Sequence, residues 1–139
     1  MPAYYRKLKS WKYELTQDYS FETGISGYTI STGLLSLSQS GLLIIKSTYA
    51  WDGPSGPTFD TPSFMRGSLI HDALYQLIRL KLLPKSARRM ADTLLREVCL
   101  IDGMSRFRAW YVYQGVHLFA ASACDPRPSY DTDTIYQTK

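Results

Sequence analysis

The chain is short of cysteine, of histidine and of long apolar runs, and each shortage closes off a class of protein. Its two cysteines, Cys99 and Cys124, make no disulfide framework and match no zinc spacing. They read as small buried hydrophobes, with a Cys99–Cys124 bridge as the alternative. No apolar run approaches the roughly 18 residues that span a bilayer, so no transmembrane segment is expected. The opening MPAYYRKLKSWKYEL is basic but carries no apolar stretch, so no secretory leader is expected and the chain reads as made in a cytoplasm. Hydrophobic residues at 45% and charged residues at 20% exclude disorder and collagen-like repeats. A length of 139 residues suits one domain, 1–139.

Acidic residues are thin in two places. Residues 1–12 hold Arg6, Lys7, Lys9 and Lys12 with no acid, and residues 79–108 set eight Lys and Arg against Asp92, Glu97 and Asp102. The overall charge is only +4. Such a stripe suits the phosphates of lipid headgroups or of a nucleic acid, or is a solvated helix face. So mild an excess makes nucleic acid the weakest of the three.

The pattern of what remains changes along the chain. Residues 1–50 read as strands: Trp11 to Leu15 alternates, Tyr28-Thr29-Ile30 is strand-type, and Gln39-Ser40-Gly41 divides Leu34–Leu37 from Leu42–Tyr49 as a hairpin turn would. A Gly/Pro loop occupies 51–62. Three helices follow over 63–123, and 124–139 reads as an extended tail. Thr61 and Pro62 form a helix start, and Ile70, Ala73, Leu74, Leu77 and Ile78 recur at helical spacing. Ser86 is placed to cap a second helix, with Ala87, Met90, Ala91, Leu94, Leu95, Val98 and Ile101 as its stripe and Gly103 as its stop. A third runs from about Ser105 to Ser122, with Phe107, Trp110, Tyr111, Gln114 and Leu118 taken as its inward face. Strands followed by helices predict an α+β fold, in which antiparallel strands precede a three-helix bundle.

Three features could carry chemistry. In Asp52-Gly53-Pro54-Ser55-Gly56-Pro57, two glycines fix a turn whose carbonyls can converge on a hard cation such as Ca²⁺, or simply make a turn. In His71-Asp72-Ala73-Leu74-Tyr75, the i, i+4 spacing puts His71 and Tyr75 on one helix face, with Asp72 turned about a quarter-turn away. On the second helix Asp92 borders an apolar stripe. If the first two helices pack antiparallel across Leu83-Pro84, His71 and Asp92 fall at nearly the same level. An Asp on one imidazole nitrogen fixes the tautomer, and the other nitrogen can then take a proton from water. The alternative pairs Asp92 with Arg88 or Arg96 on its own helix.

The order Asp-Gly-x-Ser-x-Pro, His-Asp-x-Leu-Tyr and Ala-Asp, carried here by Asp52, Gly53, Ser55, Pro57, His71, Asp72, Leu74, Tyr75, Ala91 and Asp92, resembles a phage and prophage domain family of unassigned function. The likeness covers Trp51 to about Phe119, with Pro54 departing from its more usual alanine. The same His-Asp-x-x-Tyr helix with a glycine loop before it is similar to phospholipase A2. That resemblance implies His71 as general base, Asp92 as its orienter, and Tyr75 hydrogen-bonded to Asp92. It also implies Ca²⁺ held by Asp72 and by carbonyls of Gly53, Ser55 and Gly56, with Asp52 as an additional carboxylate. Unlike the secreted phospholipases, this chain has two cysteines and begins with strands.

The resemblance therefore implies a phage-encoded hydrolase of phospholipid or another ester, acting while a phage penetrates or lyses its host. The competing reading is a non-enzymatic virion component that binds other phage structural proteins through its eleven tyrosines and three tryptophans. In that case His71, Asp72, Tyr75 and Asp92 are structural glue. His117, the second histidine, reads as a satisfied core or surface residue. A zinc site from His71, Cys99 and His117 has no supporting spacing, and a His-Asp phosphohydrolase would need more histidines.

Overall fold

A computed structural model describes residues 2–8, 13–51 and 62–119. These fall into two compact units, a strand-built one up to residue 51 and a helical one from residue 62. The chain is α+β, with antiparallel strands preceding the helices.

The first unit holds seven short strands: β1 (Tyr5–Lys7), β2 (Tyr13–Leu15), β3 (Tyr19–Glu22), β4 (Ile30–Ser31), β5 (Leu35–Leu37), β6 (Leu42–Ile45) and β7 (Ala50–Trp51). They form one sheet in the order β1-β2-β7 and another in the order β3-β6-β5-β4. Alternation sets the register: Leu35 pairs with Ile45 and Leu37 with Leu43, and all four side chains are buried. Each burial removes enough apolar surface to contribute about 1.5–3 kcal/mol, and a slip of one residue would turn every one outward. The expected hairpin turn is present, closed by the Gly41 amide donating to the Ser38 carbonyl at 3.0 Å. Gly41 has φ +105°, and a Cβ there would stand 3.2 Å from the Gly24 backbone, so both conformation and space call for glycine. Tyr5, Tyr13 and Trp51 pack ring to ring at 5.7–5.8 Å across β1, β2 and β7. In contrast to simple alternation, Tyr13, Glu14 and Leu15 are all buried. Glu14 is satisfied there by the Arg6 guanidinium at 2.8 Å.

The second unit holds α1 (Pro62–Arg79), α2 (Arg88–Ile101) and α3 (Arg106–Phe119). The first helix begins at Pro62 as its N1 preference predicts; the proposed Thr61 cap lies outside the described residues. It ends with Lys81 at φ +62°, where the Lys81 and Leu82 amides donate to the carbonyls of Ile78 and Leu77. Gly103 ends α2 the same way at φ +99°, and the Met104 amide reaches the Cys99 carbonyl. Both are Schellman endings, and in the second Met104 packs in the core with Cys99, as such endings favour. Ser86 does not cap α2: it sits inside a tight turn over Lys85–Ala87, and Ala87 occupies the cap position with no side-chain bond.

The first two helices run antiparallel, with Gly67 facing Leu95 and Cys99 at one end and His71 facing Asp92 nearer the turn. A Cβ at Gly67 would come within 2.9 Å of the Cys99 sulfur, so the helices approach closely here because the residue is glycine. Arg66 forks onto both carboxylate oxygens of Asp102 at 3.1 and 2.9 Å, tying the start of α1 to the end of α2.

The third helix faces the opposite way from the sequence expectation. Ala109 and Val112 are buried, with Phe64, Leu95, Cys99 and Met104, whereas Phe107, Trp110, Tyr111 and Leu118 are exposed. Both faces are apolar, so periodicity alone did not choose between them. It is the smaller residues, Ala109 and Val112, that are buried against Phe64, Leu95 and Cys99. Met90 and Ile101, expected in the α2 stripe, are likewise exposed.

Candidate functional site

Asp92 is the centre of the helical unit's polar cluster and is fully buried. An unpaired carboxylate at such a place costs several kcal/mol, and the surrounding helices supply its partners. The α1 helix brings His71 and Tyr75 to it on consecutive turns. His71 Nε2 lies 2.8 Å and the Tyr75 hydroxyl 2.6 Å from the same oxygen, Oδ1. The two rings lie against each other, with centroids 4.0 Å apart.

The second oxygen, Oδ2, faces other groups. His117 Nδ1 of α3 is 3.4 Å away, and Arg88 Nε, one turn before Asp92 on α2, is 3.9 Å away. Arg88 Nε also donates to the Tyr75 hydroxyl at 3.2 Å, while its Nη2 donates to the carbonyls of Val116, at 3.1 Å, and His117. One guanidinium therefore binds the last turns of α3 to the Asp92 cluster. His117 is stacked on Tyr113 at 5.5 Å, and Arg96 lies over the Tyr113 ring.

The electrostatics follow from this arrangement. Burial raises the Asp92 pKa, but the hydrogen bonds from His71 and Tyr75 outweigh it and hold the carboxyl below its ordinary 3.8. Burial lowers the His71 pKa, but Asp72 and Asp92 outweigh it, and the imidazole stays protonated above its ordinary 6.5. An ionised Asp92 can only accept hydrogen bonds, so Nε2 of His71 carries a proton. In the neutral ring the basic nitrogen is then Nδ1, which lies 3.8 Å from Asp72 Oδ1. That distance is short enough for charge attraction and too long for a hydrogen bond. The cluster can accept a proton at one defined atom, with the opposite nitrogen anchored in the interior.

The structure thus brings together four residues singled out in the sequence: His71, Asp72, Tyr75 and Asp92. Asp52, Gly53, Ser55 and Gly56 lie outside the described residues. Among the described residues no three His, Cys, Asp or Glu side chains are grouped to hold a metal ion. The alternative pairing of Asp92 with Arg88 is present, as an addition to the histidine contact and not in place of it. The sequence reading missed Arg88 as a clamp, and it left His117 outside the site. Its i, i+4 relation to Tyr113, at the edge of the Ala109–Val112 face, was the available signal.

Cys99 is free and fully buried, and burial with the nearby Asp102 charge pushes its thiol up to about 12. It is no candidate nucleophile. No helix among the described residues is long and apolar enough to cross a membrane. No family model, no curated protein and no solved structure matches the chain.

Proposed function

We propose that this chain is a phage-encoded hydrolase of phospholipid or another ester, with His71 as general base, Asp92 as its orienter and Tyr75 holding Asp92 in place. The observation that supports it is the shared oxygen of Asp92, which takes both His71 Nε2 and the Tyr75 hydroxyl and leaves Nδ1 as the basic atom. A water on Nδ1 gives up its proton to the ring as its oxygen attacks the ester carbonyl. When the tetrahedral intermediate collapses, the carbon–oxygen bond to the alcohol breaks and the imidazolium returns the proton to the leaving oxygen. Asp92 stabilises the charged ring between these steps and keeps Nε2 turned inward.

Ca²⁺ belongs to this reading through Asp72, whose side chain is 37% exposed and adjoins Nδ1. A carboxylate with carbonyl oxygens of Gly53, Ser55 and Gly56 and the carboxylate of Asp52 is a donor set of the kind that suits this ion. When bound, the ion supplies Lewis-acid stabilisation of the developing oxyanion. On this reading the protein is made in the host cytoplasm and either travels with the particle or is released at lysis.

Calorimetric titration with Ca²⁺ of the wild type and of Asp72→Asn, with melting curves for both, tests the metal. Vesicle hydrolysis by wild type and His71→Gln tests the base. Binding abolished in a still-folded Asp72→Asn, and hydrolysis abolished in a still-folded His71→Gln, are the expected results. No binding at millimolar Ca²⁺, no ester cleaved, and a badly destabilised Asp72→Asn would overturn the proposal. That result favours the structural alternative, a virion component held together by the same side chains.

A further inference from the structure

Asp92 offers two oxygens, and His71 and Tyr75 account for only one of them. Both of those donors go to Oδ1. Among the described residues only His117 comes within hydrogen-bond distance of Oδ2, its Nδ1 lying 3.4 Å away. Arg88 Nε stands off at 3.9 Å and donates to the Tyr75 hydroxyl instead. The second oxygen matters because the outer torsion of an aspartate is broad, so a carboxylate held at one oxygen can still swing. A donor on the other oxygen fixes its plane. His117 is itself held for that task. Its ring lies parallel to Tyr113 at 5.5 Å, Arg96 lies over Tyr113 at 5.9 Å, and its backbone carbonyl takes Arg88 Nη2.

The hydrogens follow from charge. Hydrogen bonds hold the Asp92 carboxyl ionised, and an ionised carboxylate only accepts. Nδ1 of His117 therefore carries a proton, as Nε2 of His71 does, and each bond sets the tautomer of its ring. One carboxylate thus selects opposite tautomers in the chain's two histidines. A histidine in water favours the Nε2–H form, so an Nδ1–H form at His117 is a mark of the contact and not a default. We propose that His117 is a positioning residue for His71: it donates Nδ1–H to Oδ2 of Asp92 and so keeps Oδ1 turned to the His71 ring. The tautomers are read without substrate. Only the use of the freed Nδ1 of His71 as a base rests on the hydrolase reading.

Nitrogen NMR of the full chain with isotope-labelled histidine tests it, in alkaline, metal-free solution. Wild type should carry its ring protons on Nε2 of His71 and on Nδ1 of His117. His117→Asn puts an amide nitrogen as many bonds from the backbone as Nδ1, and should leave His71 in its single form. His117→Phe keeps a ring beside Tyr113 but removes the donor. It should bring the Nδ1–H form of His71 up to roughly a tenth or more, since one hydrogen bond to a charged group is lost. His117→Gln, whose amide lies one bond further out, should move it the same way. An Nε2–H tautomer at His117 in wild type would overturn the proposal, as would a single His71 tautomer in the Phe and Gln variants. So would a His117→Asn that behaves like those two, because packing alone would then explain the loss. Ester left uncleaved by wild type would count against the hydrolase reading and leave the tautomers standing.

Discussion

Among the described residues each unit of the chain buries one carboxylate, and the two are solved differently. In the strand unit Glu14 sits in β2 and takes a guanidinium from Arg6, whose side chain is 66% exposed. In the helical unit Asp92 is sealed completely, and its nearest partners are an imidazole and a phenol that are themselves buried. Arg6 is a guanidinium with its far side in water, a partner that holds Glu14 by charge and hydrogen bond alone. The His71 imidazole, held protonated above its ordinary 6.5 by Asp72 and Asp92 against the effect of burial, is a partner that can titrate. Burial of a carboxylate is thus no mark of chemistry by itself; the partner's ability to titrate is what sets these two apart.

That contrast can be tested at several points. The largest effect is expected from Asp92→Ala, which takes the buried acceptor away from both His71 and the Tyr75 hydroxyl and should cost about 3–5 kcal/mol in urea unfolding followed by helix signal. A loss below about 1 kcal/mol would mean that water reaches the site. Tyr75→Phe removes one charge-assisted hydrogen bond and the acceptor of Arg88, and should cost about 1.5–3 kcal/mol by the same measurement.

The dependence on pH sharpens the comparison further. The folded-state pKa of Asp92 is below 3.8, so its contribution is complete above that value and fades as pH falls through the folded one. The His71 value is above 6.5, so its contribution is complete below that and fades as pH rises through the folded one. In metal-free protein the stability gap between wild type and Asp92→Asn should peak between about pH 3.8 and 6.5 and shrink on both sides. A gap that stays flat from acid to alkali would uncouple the two groups. The smallest effect is expected from Arg6→Ala: about 1 kcal/mol, because removing a side chain that is 66% exposed lets water take its place on the Glu14 carboxylate.

How much of this could be read from the residues depended on whether one signal decided the question. The His71–Asp92 contact was legible because an antiparallel helix pair equates positions by their distance from the turn, and Pro84 marked the turn. The β5–β6 hairpin was legible because Gly41 and alternating leucines agreed. The direction of α3 was not, since Phe107 and Trp110 on one side and Ala109 and Val112 on the other are both apolar, and it is the smaller pair that is buried. The reach of Arg88 to the carbonyls of α3, and of His117 to Asp92, was hidden for another reason. Their contacts join α1, α2 and α3 at one point, and no spacing along a single helix encodes a three-way meeting.

The close approach at Gly67 gives the helical unit a built-in timer. Cys99 lies against the position where Gly67 lacks a side chain, fully covered and with its thiol held protonated. A thiol reagent can reach that sulfur only when the packing of α1, α2 and α3 around it opens. Its rate of modification, once any signal from Cys124 is subtracted, therefore counts openings of the same three helices that surround Asp92. Stability of the helical unit could be followed in this way without a substrate and without denaturant.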